Sequence, residues 1–277
     1  MKSSRSDVVA KRAAAWRRLV ACGLVIVGWQ SFTDKARAEE AVAQDSTEKF
    51  VTGRLGVGAI VDSRYSGGAG YGAFPVPLAS IEIAGGVAYV DYWQAGLYVL
   101  SNEKKNLGLA IVATPRLGFG QHDGPLLEGI TTRRSSLEMG LSVDYGFSET
   151  AGVSVGYLHD VVSASDGSVV RLLGYKHVDF SERFGVDAFV GVERLNARLA
   201  NYYYGIGNNE STATRARYQP GSATDVTAGL HFNYDLGRKS TLLFGYEVTR
   251  LGNELANSPI VERRFSNLFY FGYGWRL

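Results

Sequence analysis

The sequence is poor in cysteine and in long apolar runs, and each shortage excludes a class of structure. Its 277 residues include a single cysteine, Cys22. One cysteine cannot form an intramolecular disulfide, which excludes a small disulfide-stapled scaffold. The apolar run LVACGLVIVGW at 19–29 has 11 residues, whereas a helix needs about 20 apolar residues to cross a bilayer. This run is therefore too short to form a membrane-spanning helix.

The first 38 residues have the organisation of a bacterial secretory signal peptide. Basic residues are frequent in 1–18, the apolar run follows, and Ala36-Arg37-Ala38 provides a small-x-small cleavage site before Glu39. An uncleaved membrane anchor is the alternative, which the shortness of the apolar run disfavours. Cys22 precedes most of the apolar core instead of ending it, which argues against a lipoprotein signal. We predict cleavage after residue 38.

Removal of this segment reverses the net charge of the protein. The whole chain has a formal charge of +2, but residues 39–277 contain 21 Lys and Arg against 25 Asp and Glu, which gives about −4. The excess of basic residues thus belongs to the export signal. Because a nucleic-acid-binding surface needs a basic patch, we expect no nucleic-acid partner.

Apolar residues alternate with polar or small residues along most of the remaining chain. In SLEMGLSVDYGF (136–147) the odd positions are all apolar, and Glu, Gly, Ser and Asp occupy the even positions. Similar alternation occurs in 51–60, 184–193 and 226–236. A period of two indicates β-strands, and no stretch after Phe50 has convincing helical periodicity. The sequence therefore predicts an all-β fold.

The composition of the second strand face distinguishes a membrane barrel from a soluble sandwich. The outer face of a sandwich is usually rich in Lys, Thr, Glu and Arg, whereas here the second face is rich in Gly, Ser, Asp and Glu. Small and acidic residues suit a narrow interior surrounded by a lipid-facing wall. Closure also satisfies every backbone hydrogen bond where no water is available. We predict a polar periplasmic leader at 39–49 and a transmembrane antiparallel β-barrel at 50–277.

The lengths of the connections predict the number of strands. Long connections are expected at 61–74, 120–134, 197–222 and 252–264, and short turns at 85–86, 102–106, 148–150 and 237–239. Outer-membrane barrels keep long loops outside and short turns in the periplasm, with an even number of strands. A single strand over 86–100 would break both rules. A turn near Asp91 to Gln94 restores them and gives about 12 strands, with 10 as the alternative.

Alternation also predicts which charged and polar side chains face the barrel interior. These candidates are Arg54, Glu82, Arg116, Glu138, Asp144, Asp187, Glu193, His231, Asp235, Glu247 and Arg276. Opposite charges in a barrel of this size can pair and plug it, or they can line a narrow pore. Because about 12 strands are fewer than the roughly 16 to 18 that leave a wide aqueous channel, we expect an occluded or narrow lumen.

Two aromatic clusters are candidates for the girdles that mark the boundaries of a bilayer. The first comprises Tyr202, Tyr203 and Tyr204 beyond the outer end of a strand, and the second comprises Phe271, Tyr273 and Trp275 near the end of the last strand. Ordinary core packing is the alternative explanation for both clusters.

The four histidines are the first candidates for catalysis. His122-Asp123 lies in a long connection, His159-Asp160 at the outer end of a strand, and His177 beside a short turn, while His231 is on a polar strand face. Some outer-membrane hydrolases build His-Asp or Ser-His sites on barrels. Adjacent strand residues point to opposite faces, however, so neither adjacent pair forms a dyad by itself. We predict that the protein is not an enzyme.

The sequence predicts neither a metal site nor a cofactor. No His, Cys and carboxylate residues are spaced as convergent metal ligands. Gly56 and Gly58 lack the third glycine and the following helix of a dinucleotide-binding loop.

Three stretches together resemble a known protein family. They are PVPLASIEIAGGVAYVD (75–91), YYYGI followed by YQPGSATDVTAGLHFNYDL (202–236), and RLGNELANSPIVE (250–262) before a closing aromatic strand. This combination is similar to the MipA/OmpV family of Gram-negative outer-membrane barrels and extends over almost the whole chain after the signal peptide. Its most specific part is Asn-Ser-Pro-Ile-Val at 257–261, one strand before the end.

The resemblance implies a scaffold at the Gram-negative outer membrane, in contact with its lipid. Members of the family are described as bringing a lytic transglycosylase and a peptidoglycan synthase together. The resemblance implies no catalytic residue. The charged interior leaves a narrow small-solute channel as the alternative function.

Overall fold

The computed structural model describes residues 50–102 and 106–277, which form a closed antiparallel barrel of twelve strands. The expected signal peptide and leader lie outside the described residues. Each strand pairs with its neighbour in sequence, and β1 closes the barrel against β12. The strands are β1 (Val51–Ser63), β2 (Tyr71–Ile83), β3 (Ala88–Asp91), β4 (Gln94–Ser101), β5 (Leu107–Arg116), β6 (Ser136–Ser148), β7 (Ala151–Asp160), β8 (Ser168–Ser181), β9 (Phe184–Leu195), β10 (Ala223–Asp235), β11 (Ser240–Arg250) and β12 (Phe265–Arg276).

The tight turn between β3 and β4 confirms the strand count of 12. Asp91 pairs with Gln94 across a two-residue turn formed by Tyr92 and Trp93. The backbone of Tyr92 is left-handed, with a φ of 49°, and its N–H donates to Ala79 O on β2 at 2.6 Å. This bond holds the turn against the neighbouring strand. The prediction of a break near Asp91 to Gln94 is therefore correct.

The long connections all lie at one end of the barrel. They span 64–70, 117–135, 161–167, 196–222 and 251–264, and the two-residue turn at 92–93 points to the same side. The other short turns and both ends of the described barrel lie at the opposite end. This distribution follows the predicted one, with 161–167 as an additional loop. By the rule for outer-membrane barrels, the long-loop end faces the outside of the cell and the short-turn end faces the periplasm.

Two α-helices and one 3-10 helix lie within the long loops, where the sequence predicted no helix. They are α1 (Ala197–Tyr204), α2 (Asn253–Ala256) and a 3-10 turn at Pro125–Leu127. The side chain of Asn196 caps α1 by accepting a bond from Leu199 N at 2.9 Å. At eight residues, α1 is too short to have a strong periodic signal. No helix in the described ranges is long and apolar enough to cross a membrane.

The two faces of each strand have opposite environments. On β6, Leu141 and Phe147 are exposed on the wall, whereas Glu138 and Asp144 are buried inside. The outer faces of the strands together form an apolar wall, as a lipid-facing barrel requires. Glycines provide space on the inner face: a Cβ atom at Gly140 would overlap the carbonyl oxygen of Tyr157 on β7.

Candidate functional site: the filled lumen and its loop cap

A cluster of four charged side chains crosses the lumen near the long-loop end. We call Arg116, Glu138, Arg171 and Glu193 the lumenal charge cluster; they come from β5, β6, β8 and β9. Arg171 donates to Glu138 Oε2 at 2.9 Å and to Glu193 Oε1 at 2.5 Å. Arg116 donates to both Glu138 and Glu193. Two guanidinium groups and two carboxylates therefore balance one another across the barrel.

Three members of this cluster are among the predicted interior residues, and Arg171 is not. The segment 169–175 (VVRLLGY) carries apolar residues on both faces, so its alternation does not show which way Arg171 points. Its register pairs Arg171 directly with Glu193 across β8 and β9. The signal that could have identified Arg171 is its position as a basic residue opposite Glu193, a predicted interior acid, on the neighbouring strand.

Two histidine–carboxylate pairs fill the lumen below the charge cluster. His231 Nε2 lies 2.9 Å from Glu247 Oε1, and His177 Nδ1 lies 2.6 Å from Asp187 Oδ1. Asn233 donates to the second oxygen of Asp187 at 3.2 Å. All five side chains are buried. His231, Glu247 and Asp187 thus lie where alternation predicted them, whereas His177, which the sequence placed only beside a short turn, is buried in the lumen.

The remaining predicted interior residues lie nearer the short-turn end of the barrel. Arg54, Asp144 and Asp235 are buried and Glu82 is partly buried. Asp144 accepts from Tyr98 Oη at 3.0 Å. Arg276 lies at the opening, where its side chain is 42% exposed and its Nη2 is 3.4 Å from Asp235 Oδ2. Arg276 therefore lines the rim of the barrel rather than its interior.

The loops close the outer end of the lumen as a packed unit. We call the connections 64–70, 117–135, 196–222 and 251–264 the loop cap. Their apolar side chains form one buried cluster with the ends of the strands. Fully or nearly fully buried members in the cap are Tyr65, Leu127, Leu199, Ile206, Leu251, Leu255 and Ile260.

The structure corrects the expectation that the tyrosines at 202–204 form an aromatic girdle. Tyr203 and Tyr204 belong to α1 and are buried in the loop cap, so they cannot face lipid. Tyr203 Oη donates to Ser136 Oγ at 3.2 Å, and Tyr202 Oη accepts from Arg134 N at 2.6 Å. Ordinary core packing, the alternative explanation for the tyrosines at 202–204, therefore accounts for this cluster. Burial raises the pKa of Tyr203 to about 12.

The second aromatic cluster lies on the outer wall. Phe271 and Trp275 are exposed, at 58% and 46%, and Tyr273 donates to Ser240 Oγ at 2.7 Å. Trp275 packs edge-to-face against Tyr273 near the short-turn end of β12. Aromatic side chains at this position suit a membrane–water boundary.

Polar bonds hold the cap loops to one another. Arg133 donates from Nη1 and Nη2 to the two oxygens of Glu210, both at 2.9 Å. Arg215 donates to the carbonyl oxygens of Leu126, Glu128 and Glu210. Burial alone would raise the pKa of Glu210, but bonds from Arg133, Gly207 N and Thr131 N outweigh it and lower that pKa to about 2. The Glu210 carboxylate thus joins connections 117–135 and 196–222.

A chamber remains between the loop cap and the lumenal charge cluster. Its cavity volume is about 80 Å³, and its lining includes Arg116, Asp62, Tyr204 and Asp225. Asp62 accepts from Ser63, and Asp225 accepts from Gly252 N at 2.7 Å. In the described part of the chain, no cationic side chain forms an ion pair with either aspartate. The chamber is therefore polar and carries an excess of acid.

The histidines of the described residues form no catalytic triad. Within residues 50–102 and 106–277, neither His122 nor His159 at the outer rim forms a hydrogen bond to a serine or a carboxylate. The buried His177 and His231 bond to carboxylates, but no serine completes a triad with them. No group of three or more His, Cys, Asp or Glu residues in those ranges is arranged to hold a metal ion.

Comparison with known proteins identifies relatives among outer-membrane proteins. The chain is 26% identical to the putative outer membrane protein YiaT of Escherichia coli K12 over 225 residues, covering 80% of this chain and 89% of YiaT. It is 26% identical to the outer membrane protein Omp26La of Vibrio anguillarum and 25% identical to OmpV of Vibrio cholerae, in each case over 157 residues and 57% of this chain. It spans 60% of the length of each Vibrio protein.

Among solved structures, the NanC porin aligns over 80% of this chain and 100% of its own, with 10% identity and a TM-score of 0.43. The family model described as "MltA-interacting protein MipA" matches residues 55–277. That match covers the barrel from β1 to the last residue. The chain therefore belongs to the MipA family of outer-membrane β-barrel proteins.

Proposed function

We propose that the protein is a non-enzymatic scaffold for peptidoglycan-remodelling enzymes, exported through a signal peptide cleaved after residue 38. The observation that carries this proposal is the filled lumen. The lumenal charge cluster, the histidine–carboxylate pairs and the loop cap fill the described part of the barrel interior with buried side chains, which supports a lumen that does not conduct. A barrel that conducts no solute acts through its surfaces. Because the apolar wall contacts lipid, the surfaces outside the membrane remain for protein partners.

The periplasmic surface is the one that peptidoglycan enzymes can reach. It consists of the turns 84–87, 149–150, 182–183 and 236–239 and the connection between β4 and β5, and we propose that the leader predicted at 39–49 adds to it. The family is named for interaction with MltA, and the expected partners are a lytic transglycosylase and a peptidoglycan synthase. A rigid barrel would hold such partners at a fixed distance from the membrane.

Site-specific photocrosslinking in intact cells tests this proposal. A photoreactive amino acid placed at Glu149 or Arg238 lies on the periplasmic side, and one at Arg217 lies in the loop cap as a matched control. We expect the periplasmic positions to crosslink to a lytic transglycosylase or a peptidoglycan synthase, and Arg217 to yield neither. Crosslinks to these enzymes absent from both periplasmic positions, with the protein correctly assembled, would contradict the scaffold role.

A narrow small-solute channel is the second candidate, and the acid-lined chamber under the loop cap favours it. A chamber with an acidic lining is a plausible stage on a path for small cations. Planar-bilayer recording separates the two functions. The scaffold predicts no discrete conductance steps from purified protein, whereas a channel predicts steps that change when Asp62 or Asp225 is replaced by Asn.

A further inference from the structure

The lipid-facing wall carries charge of one sign only. On the outward faces of the twelve strands the described residues are overwhelmingly apolar, small or aromatic. The charged side chains among them are Lys176, Arg194 and Arg250, all exposed. No carboxylate occupies an outward strand position. The acids of the same strands, such as Glu193, Asp225 and Glu247, are on the inner face.

The two wall arginines lie close together at the long-loop end. Arg194 on β9 pairs with Thr224 on β10, and Arg250 on β11 pairs with Val226 on the same β10 strand. Two strand spacings across and two residues along the sheet place their Cα atoms roughly 12 Å apart. The reach of two arginine side chains spans that distance, so both guanidinium groups can contact one multiply charged headgroup.

Neither guanidinium group is neutralised within the described protein. Arg194 Nη1 donates to Thr224 Oγ1 at 3.0 Å, which directs it across β10 toward Arg250. In residues 50–102 and 106–277, neither arginine forms an ion pair with a carboxylate. Arg263 and Arg264 are also exposed just before β12, next to the strand that carries Arg250. Glu254 and Glu262 are exposed in the same connection, but the arginines outnumber them, so the local charge is positive.

The surface around these arginines continues into the apolar wall. Val190 and Leu230 are 56% and 43% exposed below Arg194 and Thr224, and Phe265 is exposed directly opposite Arg250. A molecule bound here would have its charged part at the rim and an apolar part against the wall. Arginine binds phosphate through two parallel hydrogen bonds, a geometry that lysine lacks.

We propose that Arg194 and Arg250 form a binding site for the phosphorylated headgroup of a lipid in the outer leaflet. The headgroup lies across β10 between the two guanidinium groups, and its acyl chains lie against the apolar wall of β9–β12. The site thereby fixes the depth and the rotational orientation of the barrel in the membrane. It is independent of the scaffold role and of the state of the lumen.

Lipid binding to the purified mature protein tests this proposal. The probe is bis-phosphorylated lipid A in phosphatidylcholine nanodiscs, with dephosphorylated lipid A as the lipid control and inorganic phosphate as the free-ion control. The test variant is Arg194→Gln with Arg250→Gln. The matched variant is Arg198→Gln with Arg217→Gln, which removes the same charge from exposed loop positions. Circular dichroism and native mass spectrometry report folding and bound lipid.

We expect the wall variant to bind bis-phosphorylated lipid A about tenfold or more weakly than the unmodified protein, because each arginine near a charged membrane surface contributes substantially to binding. The loop variant should bind normally. Equal weakening in both variants would show diffuse attraction and overturn the site. Retention of the dephosphorylated lipid, or equal binding of inorganic phosphate, would overturn the assigned ligand. If the double variant does not fold, each single Gln variant should still weaken binding, and unchanged binding in both would overturn the proposal.

Discussion

Glu138 is the side chain on which the lumenal charge cluster depends most. It is fully buried and accepts bonds from both Arg116 and Arg171. Removing one partner from a buried ionic group leaves the other charges without compensation. The resulting loss of folding stability exceeds the net stabilisation that the intact group provides. The cluster is therefore sensitive to the loss of either carboxylate.

We expect Glu138→Gln to destabilise the barrel by roughly 3 to 5 kcal/mol, because two largely enclosed arginines would then share one carboxylate. Urea-induced unfolding in phospholipid vesicles measures the effect. Glu149→Gln, in the turn between β6 and β7, removes the same charge at an exposed position and should change stability little. Adding Arg171→Met to Glu138→Gln should recover part of the loss. No recovery would contradict the assigned pairing.

Glu210 makes the loop cap sensitive to acid. Its pKa in the folded protein is about 2, below the ordinary value of 4.5. The contribution of its carboxylate to the stability of the loop cap is therefore complete above pH 4.5 and is lost as the pH falls toward 2. We expect hydrogen exchange at the amides of Thr131 and Gly207, corrected for the intrinsic rate, to be constant from pH 7 to 5 and to increase between pH 4.5 and 2. Glu210→Gln should give fast exchange throughout. An unchanged pH profile in that variant would contradict the role of Glu210.

At the scale of elements, glycines on the inner face determine how closely strands approach. Gly140 faces the β7 backbone with no space for a Cβ atom, whereas the nearest atom to a Cβ at Gly156 would be the flexible end of Leu158, at 3.3 Å, and the backbone oxygen of Leu141 would lie at ordinary contact distance, 3.5 Å. The two positions are on adjacent strands and both point inward. Their substitution by alanine is therefore a matched comparison.

We expect Gly140→Ala to destabilise the barrel by roughly 2 kcal/mol or more, because β6 and β7 must separate to accept the methyl group. Gly156→Ala should cost under about 1 kcal/mol, since a side chain can adjust. Thermal unfolding monitored by circular dichroism measures both. Equal effects of the two substitutions would indicate that the strands are not in the register that pairs Gly140 with Leu158.

Strand elements could be predicted from the sequence, whereas the loop elements could not. The turn at Tyr92 and Trp93 was predictable because strand parity and loop placement both required it. The tyrosines at 202–204 were misassigned because alternation gives a side-chain direction only within a strand. In a loop, that direction depends on contacts with other loops, such as the bond between Tyr203 and Ser136.

At the scale of the whole molecule, the inner and outer faces could be predicted but the pairing across the lumen could not. Alternation shows that Arg116 and Glu138 point inward, yet their meeting with Arg171 and Glu193 depends on the tilt and stagger of the closed sheet. Those quantities are set by all twelve strands together. The closure of the lumen is therefore a property of the assembled barrel, and it is the basis of the proposed scaffold function.

Spin labelling along β6 tests the central claim, that an apolar wall faces lipid while the lumen is closed to water. Cysteines are introduced singly at Leu141, Ser142, Val143 and Asp144 in the protein that begins at residue 39, which contains no other cysteine, and each variant is reconstituted in vesicles. We expect labels at 141 and 143 to be accessible to oxygen from the lipid phase. Labels at 142 and 144 should be protected from both oxygen and a water-soluble nickel chelate. Access of the chelate to the even positions would contradict a closed lumen, and protection of the odd positions from oxygen would contradict the lipid-facing wall.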